Sequence, residues 1–68
     1  MTQRQVDLLE FLTAYIIEHN GRVPSFAEMM KALGLTSKSS IARLLDGLEQ
    51  RGHIQRIRRA NRAIKLLD

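Results

Sequence analysis

Apolar residues near the start of the chain recur every third or fourth position, as Val6, Leu9, Leu12 or Thr13, and Ile16, widened by Leu8, Phe11, Tyr15 and Ile17. That period predicts a helix with a broad apolar face, the expected spine of the core. Thr2 and Gln5 stand at capping-box spacing ahead of it, and Asn20-Gly21 should stop it at about His19. A second start follows at once. Pro24 holds the entry extended, Ser25 can cap, and Glu28 closes the box three residues on. Met29, Met30 and Leu33 form the expected buried side of this helix of about ten residues, and Gly34 is its left-handed stop. Beyond Leu35, Thr36 or Ser37 can cap a third helix in which Ile41, Leu44, Leu45 and Leu48 keep helical spacing until Arg51-Gly52.

Two helices separated only by Gly34 to Ser37 form a helix-turn-helix. The tail then changes period. His53 to Arg58 and Ala63 to Leu67 read as short strands, the second turning Ile64 and Leu66 inward and Lys65 outward. Arg59-Ala60-Asn61-Arg62 is the hairpin loop between them, with Asn61 able to take a positive φ. The fold class expected is mainly α with a small β-hairpin: a three-helix winged helix-turn-helix, one domain over residues 1–68. No repeat, linker or low-complexity stretch interrupts it.

Composition narrows the chemistry. A core this small leaves little stability to spare, so function belongs on the surface. There is no cysteine, hence no disulfide and no thiolate metal site. The apolar stretches are short and flanked by Asp7, Glu10 and Glu18, which excludes a spanning helix, argues against a signal peptide and makes a soluble intracellular protein the expectation, with no membrane partner. His19 and His53 lie at element ends without ligand spacing, and no glycine-rich phosphate loop is present, so neither metal nor cofactor is expected and an enzyme is not. Ser37 beside Lys38 is not a nucleophile and base, because adjacent helix residues point apart. Charge is unevenly divided. Residues 1–35 carry three basic against four acidic side chains, a balance of −1, and residues 36–68 carry eight against three, +5. The second half is where a polyanion would bind.

The succession TQRQ, VPSFAEMMKALGL, TSKSSIARLLDGLEQRGHI and IKLL resembles the N-terminal DNA-binding domain of the LexA family, repressors of the SOS response. The strongest elements are Pro24-Ser25 ahead of Glu28-Met29, Leu33-Gly34-Leu35, and Ser37 with Leu45, Leu48, Gly52 and Ile54 in register. The resemblance implies a sequence-specific regulator of transcription, a repressor, on double-stranded DNA, cytoplasmic and of bacterial or phage origin. Two departures stand out. The family typically has acidic residues at the positions of Ala42 and Arg43 and asparagine at Ser39, so the preferred base sequence is expected to differ. The family's Ser-Lys self-cleavage domain has no match here, which leaves an excised domain and a free-standing relative both open.

A recognition helix of about residues 37–51 would enter the major groove by its N-terminal end, where free backbone N–H groups favour phosphate and small side chains permit close approach. Ser37 can cap the helix or bind phosphate. Ser39 and Ser40 can meet base edges with little selectivity, Ala42 a thymine methyl, and Arg43 the O6 and N7 of guanine. The three serines could instead merely cap and solvate a surface helix. Lys38 suits a phosphate or solvent equally, and Arg51 suits a phosphate or the helix C-terminal dipole. In a wing of about residues 58–62, Arg58, Arg59, Asn61 and Arg62 could reach phosphates or a narrow minor groove, or serve only solubility. Arg4 is a weaker candidate, by family position.

The rival reading is a winged-helix adaptor for proteins, since the fold alone does not prove DNA contact. Its recognition face should be apolar or acidic, whereas this one offers Lys38, Ser39, Ser40 and Arg43. RNA is disfavoured because the three aromatic residues, Phe11, Tyr15 and Phe26, all fall in predicted helices. With no heptad to pair two copies, a monomer in solution is expected, two of which share a palindromic operator. For a natural chain that ends at Asp68, competition with a full-length LexA-like repressor at overlapping sites is a further expectation.

Overall fold

The structure, a computed structural model, describes residues 1–57 and 63–67. Three helices precede a two-stranded antiparallel hairpin: α1 (Gln3–Glu18), α2 (Phe26–Leu33), α3 (Lys38–Gln50), β1 (Ile54–Ile57) and β2 (Ala63–Leu66). The architecture is the mainly helical winged helix-turn-helix read from the sequence. Among the described residues no helix is long and apolar enough to cross a membrane.

Helix α1 begins with a complete capping box, Gln5 N–H on the Thr2 hydroxyl at 3.2 Å and Thr2 N–H on Gln5 Oε1 at 2.9 Å. It ends at a His19 cap, and the chain turns through left-handed Asn20 and Gly21. Its innermost residues are Leu8 and Leu12, with Leu9 and Phe11 packed beside them. Ile17, counted in the apolar face, is 70 % exposed. It lies on the last turn of α1 and is absent from the side chains packed on the core.

Helix α2 is eight residues, or ten with its Ser25 and Gly34 caps, and Gly34 takes the expected left-handed stop at φ +69°. Its N-terminus repeats the reciprocal box, Glu28 N–H on Ser25 Oγ at 3.1 Å and Ser25 N–H on Glu28 Oε1 at 2.9 Å. Met29 is buried, and Met30 and Leu33 only half so. Ile41, Leu45 and Leu48 of α3 and Ile54 of β1 complete the core with Leu8, Leu12 and Met29. Burying each such side chain contributes about 1.5–3 kcal/mol. Truncating one to alanine typically costs about 2–5 kcal/mol, a large share of the stability of a domain this small.

Gly47 faces the start of α1: a Cβ there would run into the side-chain amide of Gln5, the same group that closes the Thr2 box. A mid-helix glycine that disfavours α3 by roughly 1 kcal/mol relative to alanine thus leaves room for the Gln5 amide where it lies. The hairpin register pairs Ile54 with Leu66, Gln55 with Lys65, Arg56 with Ile64 and Ile57 with Ala63. Ile64 and Leu66 pack on the core and Lys65 is exposed, as the alternation predicts. The strands start at Ile54 and end at Leu66, and Leu67 N–H adds a bond to His53 O at 2.9 Å.

The α1–α2 junction carries a polar stack. The Tyr15 ring lies on His19 with centroids 3.8 Å apart, and its hydroxyl donates to Glu28 Oε2 at 3.0 Å. The hydrogen bond to the carboxylate, then burial and negative charge, raise the Tyr15 phenol above its ordinary value. The backbone N–H of Ser25, then the Tyr15 hydroxyl, hold Glu28 below the usual carboxylate range. The signs follow from linkage. Stability from Tyr15 is complete below the unfolded value of about 10 and is lost as pH rises through the folded one; stability from Glu28 is present above its unfolded value and is lost as pH falls through the folded one. Tyr15 is the sole tyrosine, so ultraviolet titration reads it directly. Its midpoint is expected above that of free tyrosine and to move back towards it in Glu28→Gln; an unchanged midpoint in that variant would remove the carboxylate as the cause.

Candidate nucleic-acid interface

The turn between α2 and α3 is held from both sides. Gly34 N–H points back to Lys31 O and Met30 O, and Leu35 N–H donates to Met30 O at 2.9 Å. The guanidinium of Arg4 reaches across from α1 to give Leu33 O an Nη1–H bond at 2.6 Å. Its side chain therefore caps the carbonyl end of α2, a role its position as a weak nucleic-acid candidate did not reveal.

Helix α3 starts differently from the other two. Ser37 occupies the N-cap position with φ −123° and ψ 129°, yet its hydroxyl accepts no backbone N–H. It pairs with the Ser39 hydroxyl at 2.7 Å instead. Of the two roles the sequence allowed Ser37, the side-chain cap is thus unrealised. The first-turn N–H groups, the positive end of the helix dipole, are left without a side-chain acceptor.

Burying Ile41, Leu45 and Leu48 fixes which side of α3 faces out. Helical spacing puts Ser39, Arg43, Asp46 and Gln50 on the opposite side, and all four are exposed. Lys38 is exposed at the helix start. Ser37, Ser40 and Ala42 are half-buried, so Ser39 and Arg43 are the outermost of the expected readers. Arg51 is exposed at the C-cap, about 20 Å along the axis from Ser37. Arg43 makes no hydrogen bond or ion pair among the described residues. Arg58, Arg59, Asn61 and Arg62, the expected wing contacts, lie outside the described residues.

One cluster was not foreseen. The period of β1 puts Arg56 on the same face as buried Ile54, turned towards α3. Its backbone N–H donates to Glu49 Oε2 at 3.1 Å and its Nε–H to Glu49 Oε1 at 3.3 Å, while an Nη2–H donates to Asp46 Oδ1. Asp46 and Glu49, one turn apart on α3, thus share one guanidinium from the wing. Arg56, counted among the positive charges of the second half, is engaged within the protein, where it offsets part of the negative charge of two carboxylates that would repel a polyanion. Spacing on α3 could have flagged Gln50, a turn beyond Asp46; the Arg56 cluster needed the strand's approach to the helix. Among the described residues, no three His, Cys, Asp or Glu side chains are grouped to hold a metal ion.

Residues 1–63 match a family model described as the LexA DNA binding domain. A LexA repressor of Cereibacter sphaeroides is 45 % identical over 67 residues, covering 98 % of this chain and 29 % of the relative. LexA repressors of Ruegeria sp. and Novosphingobium aromaticivorans are 45 % and 43 % identical over 98 % of the chain, which spans 27 % and 28 % of their lengths. The chain therefore covers less than a third of these relatives.

The contrast between helix starts is measurable. Ser25→Ala removes a cap acceptor and should cost about 1 kcal/mol in chemical denaturation. Ser37→Ala removes no bond to the helix backbone and should stay within about 0.5 kcal/mol of the parent. Equal losses in the two variants would mean that Ser37 caps α3 after all.

Proposed function

Because this chain belongs to the LexA DNA-binding-domain family, we propose that residues 1–68 form a sequence-specific module for double-stranded DNA that represses transcription, as the name of its relatives suggests. The observation that carries the reading is the outer side of α3. It presents Ser39 and Arg43 beside a helix start whose backbone donors have no side-chain acceptor. The proposed contact follows from those parts. The N-terminal turn of α3 meets a phosphate through backbone N–H groups, with Lys38 adding charge. Small side chains at 37, 39, 40 and 42 allow the backbone close to the groove floor. Ser39 and Ser40 bond base edges, Ala42 contacts a thymine methyl, and Arg43 takes O6 and N7 of a guanine. Arg51 and the wing residues Arg58, Arg59, Asn61 and Arg62 anchor on phosphate or the minor groove.

The work asked of this surface is binding rather than catalysis, in a DNA-associated cytoplasmic setting, with no cofactor. An adaptor role finds no support, because the outward stripe lacks a large apolar anchor. One module reads only a short half-site, so tight regulation calls for two copies on an inverted repeat. Exposed large apolar side chains among the described residues are Met1, Ile17 and Ile57, scattered over separate elements, which favours a monomer off DNA. As a free-standing module occupying overlapping sites, it would compete with a full-length LexA-like repressor.

Selection from random duplexes, followed by titration of duplex, single strand and structured RNA at one salt concentration, tests the reading. Preference for one duplex sequence is expected; equal affinity for all three would refute it. On the selected site Arg43→Ala should cost about 1–3 kcal/mol and relax one base pair. Lys38→Ala, Arg59→Ala or Arg62→Ala should weaken all sequences alike and reduce the salt slope by about one phosphate contact. A wing variant that alters base preference while Arg43→Ala does not would reverse the roles.

Assembly has its own measurement. Sedimentation equilibrium is expected to give a monomer without DNA, and mobility shifts to give tighter binding to a paired site than to two separate half-sites. A tight free dimer would move the coupling from DNA to the protein.

A further inference from the structure

Arg43 and Asp46 are three residues apart on the exposed side of α3, the spacing at which an arginine and an aspartate on one helix pair with each other. Such a pair would occupy the fork that Arg43 needs for a base. It does not form. Asp46 Oδ1 takes its hydrogen bond from Arg56 Nη2, and Arg43 is left without a partner among the described residues. The placement of Arg56 is fixed by two things apart from Asp46. Its backbone is paired with Ile64 in the hairpin, and its N–H and Nε–H groups both lie on Glu49. Its side chain is 23 % exposed against 56 % for Asp46, so the strand presents a restrained cation to a solvated anion.

We infer that Arg56 is a positioning residue for readout: by holding Asp46 on the wing side of α3, it keeps the Arg43 guanidinium free to meet a base pair. The inference rests on the proposed role of Arg43 as base reader and adds the reason that Arg43 is available for it. A carboxylate beside a reading arginine captures the fork when nothing else neutralises it, and in the poorly hydrated groove that attraction grows. Arg56 thereby acts on specificity from a strand that need not touch a base.

The test compares discrimination at the base pair that Arg43→Ala relaxes. Arg56→Gln is expected to lose about threefold to tenfold of that discrimination, a part of what a bidentate arginine contributes. Adding Asp46→Asn to Arg56→Gln should restore it to within about twofold, since the competing carboxylate is gone. In the Arg43→Ala background, Arg56→Gln should leave discrimination at that pair unchanged. A wing that merely tilts would not be rescued by Asp46→Asn, so persistent loss in the double variant overturns the inference, as does full discrimination in Arg56→Gln alone. Arg56→Lys keeps a cation beside Asp46 and should retain discrimination; with circular dichroism as a check on folding, it stands in if Arg56→Gln unfolds, and its failure counts against the inference. If Arg43→Ala relaxes no base pair, the reading of Arg43 falls first and the inference with it.

Discussion

The inner face of α3 is where the molecule is anchored. Ile41, Leu45 and Leu48 are buried against Leu8 and Leu12 of α1, Met29 of α2 and Ile54 of β1, so α1, α2 and β1 all meet this helix. Burial on that scale sets the rotation of α3 about its own axis, because turning it by one residue, about 100°, would bring a polar side chain into the core. The outward stripe is therefore a consequence of the inward one. Ser39 and Arg43 face out because Ile41 and Leu45 cannot.

Polar contacts then fix the parts that packing leaves adjustable. Two reciprocal capping boxes start α1 and α2, Arg4 ties the end of α2 to α1, and Arg56 ties the hairpin to α3. The boxes close helix starts locally, whereas Arg4 and Arg56 each join one element to another. The exposed pairs among them contribute little stability individually. Their effect is on geometry: the α2–α3 turn and the hairpin each gain directional restraints.

Much of this was legible in the chain. The boxes Thr2/Gln5 and Ser25/Glu28, the stop at Asn20-Gly21 and the left-handed Gly34 are local rules, and local rules survive folding. The apolar column of α1 was less so. Nine apolar or amphipathic positions spread over its face, and only the partners decide that Leu8 and Leu12 lie deepest while Ile17 stays in solvent. The uncapped start of α3 was half legible: a serine stood at the right place, but its hydroxyl had a second partner in Ser39. Arg4 was read as a weaker nucleic-acid candidate and Arg56 only as part of the positive balance, because their acceptors, Leu33 O and the Asp46–Glu49 pair, come near only when α1 crosses α2 and β1 folds back on α3. Within the candidate site, positions facing outward followed from period alone, whereas occupancy of each charge required the tertiary fold.

The split of α3 into a packed side and a free side bears on how such a protein can change over generations. Ser39 and Arg43 face solvent and take no part in the buried cluster, so substitutions at these two positions can be sampled without passing through unfolded intermediates. Positions 46, 49 and 56 are different, since a change of charge at one leaves its partners unmatched. A lineage could drift rapidly at the two outermost positions of α3, while the three-residue brace beside them would tend to be inherited or replaced as a block.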